Sequence, residues 1–247
     1  MIVTVENAPQ QYARIAGLFY LAIIVLGLFG EVFVRGALVV SGDPTATANA
    51  ITASPLLWRA GIAGDLLMHV FDLPVIVILY FLLKPVHHGL ALFATLVNLI
   101  QTAVLAMNKL TLLAPLFLLE GGNYLASFSP AQLHALSYLA IKAHSYGFGI
   151  GLIFFGITCL ARGYLMVKSG LWPKALGVLM FVAGISYLIN SFALILAPSI
   201  ASMLFPVILM PPLVAELAFS LWLIVKGLNI KQWERVATQA IGPKPAP

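Results

Sequence analysis

Acidic and imidazole side chains recur inside the longest apolar stretches of this sequence. Asp65, His69 and Asp72 are spaced i, i+4 and i+7 within one such stretch, so a helix would carry them on a single face. Carboxylates and imidazoles in that arrangement can accept and release protons or bind a cation. Ionisable groups cost about 2.5–3.5 kcal/mol each at the centre of a membrane helix, so their presence there requires an explanation.

Charged and amide residues occupy other apolar stretches at a comparable depth. With a rise of about 1.5 Å per residue, these side chains fall roughly 13–16 Å from the same end of their helices. We therefore predict a polar site in the half of the bundle opposite the chain termini, and apolar packing in the half next to them. The candidate ligand-binding residues are Glu31, Asp65, His69, Asp72, Asn108, Lys109, Lys142, His144, Asn190 and Glu216.

The same residues also allow a structural interpretation. Buried charges must be paired to be stable in a low dielectric, and here the formal charges balance. The acids are Glu31, Asp65, Asp72 and Glu216, and the bases are Arg35, Arg59, Lys109 and Lys142. An ion-pair network that fixes the register of the helices is one interpretation, and a ligand site is the other. Both stay open, although a purely structural network does not require two histidines among four acids.

The composition is typical of a membrane protein. Hydrophobic residues make up 62% of the 247 residues and charged residues 9%, against about 25% charged residues in soluble domains. Backbone polar groups in lipid must be paired internally, so apolar runs of this length predict helices. We predict an all-α, polytopic membrane bundle with six transmembrane helices, over residues 14–40, 55–84, 89–119, 130–167, 173–197 and 199–228. Residues 1–235 are predicted to form a single domain and residues 236–247 a disordered tail.

Lys and Arg residues are distributed unequally between the two sides of this bundle. On the side of the termini lie Arg14, Lys84, Arg162, Lys168, Lys174, Lys226, Lys231 and Arg235. The loops on the other side, residues 41–54, 121–129 and 197–199, contain neither Lys nor Arg. Because short basic loops stay in the cytoplasm, both termini are predicted to be cytoplasmic. The expected location is the cell inner (cytoplasmic) membrane, with the lipid bilayer as partner.

Two histidines could hold a cofactor. His69 and His144 lie near mid-span on different predicted helices and could ligate a haem or a metal ion together. Neither belongs to a His-x-x-x-His or His-Glu-x-x-His motif, so we expect no cofactor. The sequence also lacks a Gly-x-Ser-x-Gly motif, a P-loop and a dinucleotide fingerprint. It has no basic run with interleaved aromatic residues, so nucleic acid is not an expected partner.

Several segments resemble a known family. They are ARIAGLFYL at 13–21, YFLLKPV at 80–86, GLIFFG at 151–156, SGLWPKALG at 169–177 and ELAFSLWLIVKG at 216–227. These segments resemble the bacterial integral membrane proteins catalogued as domain of unknown function 4386 (DUF4386). The resemblance implies a single-domain, multi-helix membrane protein. It brings no established activity, cofactor or catalytic residue.

Three functional hypotheses follow. The leading one is a membrane protein whose polar, outward-facing pocket binds or transports a small molecule or an ion. The first alternative is a membrane-embedded enzyme that uses the Asp, His and Glu residues as acid–base groups or metal ligands. The second is a non-catalytic accessory membrane subunit. Under the leading hypothesis, the face of Asp65, His69 and Asp72 should meet Glu31, Lys142 or His144, and Glu216 across one cavity.

Overall fold

The structure is a computed structural model that describes residues 5–241. It is 86% helical, and residues 5–241 contain no β-strand. Six helices are long and apolar enough to cross a membrane, which confirms the predicted all-α bundle. They are α1 (Pro9–Leu38), α3 (Pro55–Leu83), α4 (His88–Leu119), α5 (Pro130–Ser169), α6 (Lys174–Leu196) and α8 (Val207–Val225). The shorter helices are α2 (Pro44–Ala53), α7 (Pro198–Leu204) and α9 (Ile230–Ile241).

The helix boundaries follow local capping chemistry. Asp43 begins α2, where its side chain accepts a hydrogen bond from the backbone N–H of Ala46 at 2.8 Å. Ser129 and Gln132 form a reciprocal capping box at the start of α5. Gly170 ends α5 with a φ of 65°, a backbone conformation that favours glycine.

The sixth membrane-length helix begins later than predicted. The sequence predicts a span from residue 199, but residues 198–204 form the separate helix α7, and α8 begins at Val207. Phe205 between them is extended, with φ −75° and ψ 138°. A residue before proline is sterically disfavoured in the helical region, and Pro206 follows Phe205 directly. The proline therefore separates the two helices.

The first described residues, 5–11, and helix α9 lie side by side at one end of the bundle, which we call the terminal face. There Lys84, at the end of α3, forms an ion pair with Glu6 at 2.6 Å. The larger apolar core lies behind this face and includes Tyr20, Leu79, Trp172 and Phe219. A smaller core, with Val34, Trp58 and Leu116, lies at the opposite end, which we call the far face.

The predicted disordered tail is wrong for residues 236–241. Helix α9 continues to Ile241 and packs Trp233, Val236 and Ala237 against the larger core. Asn229 and Gln232 join it to the turn after α5, through bonds to the backbone of Leu171 and Ser169. The apolar residues of α9 recur every three or four positions, so this amphipathic helix gains stability by covering the terminal face. Residues 242–247 lie outside the described residues.

Candidate functional site

One buried carboxylate connects three helices near the far face. Asp65 of α3 is 1% exposed, and its Oδ2 accepts hydrogen bonds from Arg35 Nη1 at 2.7 Å and Lys109 Nζ at 2.9 Å. Arg35 Nε donates in turn to Glu31 Oε2 at 2.8 Å. We call these four residues the Asp65 network. Its two acids and two bases balance in formal charge, as buried ions require.

Arg35 reaches Asp65 from an irregular part of α1. Residues Phe29–Arg35 are wound as a π-helix, a form that is rare and frequent at functional sites. Gly30 in this segment lies against the Asp65 carboxylate, where a Cβ atom would overlap Oδ1. The π-helical segment thus brings both the backbone of α1 and the guanidinium of Arg35 onto α3.

Lys109 also comes from an irregular segment. Helix α4 is regular over His88–Asn108, is interrupted at Lys109 and resumes over Leu110–Leu119. The Asn108 carbonyl accepts a hydrogen bond from Thr111 Oγ1 at 2.6 Å. Asn108 Nδ2 donates to the backbone carbonyl of His144 on α5 at 2.9 Å and lies 3.0 Å from His144 Nδ1. Side chains therefore satisfy the backbone at the interruption and attach it to α5.

His69 lies next to the network, and Glu31 is the exposed member of it. His69 follows Asp65 by one helical turn, is buried, and its Nε2 has no hydrogen-bond partner within residues 5–241. Glu31 is 59% exposed at its side chain, so its carboxylate connects Arg35 to the surroundings of the bundle. The network therefore runs from the exposed Glu31 to the buried Asp65 and Lys109, and the buried imidazole of His69 lies one helical turn from Asp65.

A second polar group lies about 10 Å further along α3, toward the terminal face. Asp72 accepts hydrogen bonds from Thr102 Oγ1 and from Asn98 Nδ2, the latter at 3.1 Å. Asn98 Nδ2 also donates to Gln101 Oε1 at 2.7 Å. We call Asp72, Asn98, Gln101 and Thr102 the Asp72 cluster. All its contacts join α3 to α4 or lie within α4.

A third polar pair joins α6 to α8, and α5 carries a buried arginine. Glu216 of α8 accepts a hydrogen bond from the Tyr187 hydroxyl at 2.5 Å. Arg162 of α5 is 6% exposed and forms no ion pair with any residue that the structure describes, and its Nη2 has no hydrogen-bond partner there.

One sequence-based expectation is wrong at this point. Arg162, counted among the basic residues on the side of the termini, is buried inside α5, about 10 Å from the helix end at Ser169. The half of the bundle next to the termini was expected to be apolar, yet it holds the side chain of Arg162, which is 6% exposed. The predicted span 130–167 already contained this position, and the burial depends on the helices packed against α5, which the sequence pattern does not give.

The candidate residues divide into separate contact sets. Asp65, Lys109 and Glu31 belong to the Asp65 network, with Asn108 and His144 beside it. Asp72 instead bonds to residues of α4, and Glu216 bonds to Tyr187. Asp65, Asp72 and Glu216 therefore share no hydrogen-bond partner within residues 5–241. Lys142 is exposed, with its ammonium 5.9 Å from the Tyr138 ring centroid, and does not join the network. Asn190 is half-buried on α6.

Sequence reasoning missed several members of these groups. Arg35 was identified only as one of the bases that balance the acids, and Thr102 and Tyr187 were not candidates at all. Thr102 follows Asn98 by four residues and Gln101 by one, so the polar face of α4 could have indicated it. Tyr187 carried no signal, since a tyrosine in an apolar helix is typical of packing.

The described residues hold no grouped metal ligands, and two cavities lie apart from the Asp65 network. Across residues 5–241, no three His, Cys, Asp or Glu side chains are grouped so that they could hold a metal ion. Two cavities lie at the terminal face, one of about 340 Å³ between residues 6–11 and α9, the other beside Trp172 and Trp222. Neither of these two is lined by a member of the Asp65 network.

The six membrane-length helices define a multi-pass helical membrane protein. The family described as Domain of unknown function (DUF4386) matches residues 15–227, and the chain belongs to this family, as its segments indicated. It is 28% identical over 173 residues to a protein of Archaeoglobus fulgidus described as an uncharacterized protein, covering 69% of this chain and 86% of that one. No solved structure matches the chain.

Proposed function

We propose that this membrane protein binds or transports a small molecule or an ion at the Asp65 network. The ligand carries a charge and exchanges with one partner of the network, entering from the far face. The protein would reside in the inner (cytoplasmic) membrane with both termini in the cytoplasm, so that the far face is external. The distribution of Lys and Arg supports this orientation.

One observation carries the proposal. Both cations that bind Asp65 come from irregular segments, Arg35 from the π-helix of α1 and Lys109 from the interruption of α4. Irregular backbone at membrane depth is stable only where it is buried in protein or lines a water-filled cavity. An ion pair that only fixed helix register could be made from two regular helices. Two irregular segments converging on one carboxylate therefore favour a site whose bonds can rearrange.

Access to the network supports the same conclusion. Glu31 is exposed while Asp65 and Lys109 are 1% and 2% exposed, so the charges lead from the surface to the interior. A charged ligand could compete first for Arg35 and then for the buried pair. Ionisable residues that face the inside of a membrane bundle commonly mark such pathways.

Neutralising both members of a pair distinguishes a ligand site from a purely structural network. The variant Asp65→Asn/Lys109→Gln removes one negative and one positive charge together, so the remaining Arg35–Glu31 pair stays balanced. A structural network would recover its stability in this variant and lose nothing else. A ligand site would recover stability but lose its ligand.

The experiment measures the thermal unfolding midpoint of the purified protein against inorganic anions, inorganic cations, amino acids and short carboxylic acids. We expect at least one class to raise the midpoint of the wild type in a saturable way. The paired variant should fold and show no rise with the same compounds. Equal responses of wild type and paired variant to every compound would refute a site at Asp65.

A further inference from the structure

We propose that the Asp72 cluster is a binding site for a small monovalent cation, for which Na⁺ is the test ligand. This site is distinct from the Asp65 network and lies nearer the terminal face. It does not depend on the function proposed for that network. Its ligands would be oxygen atoms of α3 and α4.

The oxygens of the cluster lie side by side. Thr102 Oγ1 bonds to Asp72 Oδ2 and lies 3.3 Å from Gln101 Oε1. A carboxylate, a hydroxyl and an amide carbonyl thus meet within contact distance, on side chains that are largely buried. Hard cations take this kind of oxygen ligand, and a site made of several such oxygens can replace water around an ion.

Asn98 provides an independent indication. Its side chain is fully buried, at 0% exposure, and its Oδ1 has no hydrogen-bond partner within residues 5–241. Its Nδ2 meanwhile donates to Asp72 and Gln101. Turning the amide by 180° exchanges the positions of the oxygen and the nitrogen. The oxygen would then face two other acceptors, Asp72 Oδ2 and Gln101 Oε1, and a cation between them would bind all three oxygens.

Neither orientation of Asn98 is satisfied by protein groups alone. In the first, a buried carbonyl oxygen lacks a donor, which costs about 1–3 kcal/mol in typical proteins. In the second, three acceptors point at one another. A cation resolves the second case, because Asn98 Oδ1 then joins Asp72, Gln101 and Thr102 as ligands.

The charge balance selects a monovalent ion. Asp72 forms no ion pair with any residue in the described part of the chain, and its hydrogen-bond donors are neutral. One negative charge remains, which a single monovalent cation neutralises.

The test uses the purified full chain in detergent and two matched threonine variants of α4. Thr102→Val removes a proposed ligand. Thr95→Val removes a hydroxyl on the same helix that bonds only to its own backbone, at Ala91 O, 2.9 Å away. Binding of radiolabelled Na⁺ is measured directly, with K⁺ and Li⁺ as competitors. The unfolding midpoint is followed in NaCl and in choline chloride at constant ionic strength.

We expect saturable Na⁺ binding by the wild type and by Thr95→Val. Thr102→Val should weaken it by about tenfold or more, and Asp72→Asn should abolish it. The paired variant Asp65→Asn/Lys109→Gln should keep the Na⁺ response, so that failure of this site and failure of the Asp65 site are told apart. Equal effects of Na⁺ and choline, or equal affinities of the two threonine variants, would overturn the proposal. Loss of folding in Asp72→Asn leaves the threonine pair to decide.

Discussion

Arg35 and Lys109 donate hydrogen bonds to the same oxygen of Asp65, at 2.7 and 2.9 Å. Arg35 Nη2 also lies 3.5 Å from the second carboxylate oxygen. The two cations belong to α1 and α4, so one carboxylate on α3 holds three helices together. Each cation has little access to water. Arg35 also pairs with Glu31, whereas Lys109 pairs with Asp65 alone among the described residues.

Replacing Asp65 by Asn should strongly destabilise the protein. The change leaves Lys109 as a buried cation without an acid, and breaking a buried pair in this way costs about 3–5 kcal/mol. The matched control is Glu120→Gln, which breaks the Arg59–Glu120 pair, half-exposed at both side chains. Exposed pairs contribute about 0–1 kcal/mol, so that variant should unfold nearly as the wild type does. Denaturant unfolding in detergent measures both, and similar losses in the two variants would contradict burial of the network.

Replacing Gly30 by Ala should also disturb the network. A Cβ at Gly30 would overlap the carboxylate of Asp65, so α1 and α3 would have to separate or the ion pairs rearrange. Overpacking of this kind typically costs about 1–3 kcal/mol. Gly64→Ala is the control, because its Cβ would meet Leu26 and Phe29 at an ordinary 3.7 Å. That variant should be neutral or stabilised by up to about 1 kcal/mol, since alanine favours a helix. A tolerated Gly30→Ala would contradict the close approach of the two helices.

The depth of Asp65 and Lys109 was predictable from sequence, because helical rise converts residue number into distance. The three acids on α3 and α8 could not be separated in this way. Asp65 and Asp72 share a helix face, yet one bonds to cations and the other to neutral donors, which depends on what α1 and α4 present. Lys142 had the right depth but the wrong direction, because depth alone does not give the rotation of α5.

The irregular segments could not be predicted from the sequence, and α9 was not predicted although its pattern is visible there. Nothing in FGEVFVR distinguishes a π-helix from an α-helix, since the difference is one of backbone hydrogen bonds. Helix α9 did carry a signal, in the spacing of Ile230, Trp233 and Val236. That spacing does not form a long apolar run, because an amphipathic surface helix is polar on average.

Two tryptophans at the terminal face should respond differently to the same substitution. Trp172 Nε1 donates to the carbonyl of Gly227 at 3.0 Å, whereas Trp233 Nε1 is buried without a partner in residues 5–241. Phenylalanine removes the indole N–H at both positions, and the side-chain volume that is lost is the same in both. Trp172→Phe should therefore be less stable than Trp233→Phe by about 0.5–1.5 kcal/mol, the usual contribution of a hydrogen bond. The two free energies of unfolding measure this difference, and the reverse order would contradict the contacts at this face.

The terminal face should lie in the cytoplasm. The loops and helix ends at this face carry the Lys and Arg residues, while the far-face loops at 41–54, 121–129 and 197–199 carry none. Short basic loops are retained in the cytoplasm during insertion, so the bias predicts the orientation. The native cysteine, Cys159, is buried and should stay unreactive, which allows single cysteines to report on each side.

Ala126→Cys tests the far face and Lys231→Cys the terminal face, since both positions are exposed. In intact cells a membrane-impermeant maleimide should label Ala126→Cys and not Lys231→Cys. After the cells are opened, it should label both, which shows that each thiol is reactive in the folded protein. The wild type, with Cys159 alone, measures the background. Labelling of Lys231→Cys in intact cells, with Ala126→Cys protected until lysis, would reverse the orientation and place the Asp65 network in the cytoplasmic half of the membrane.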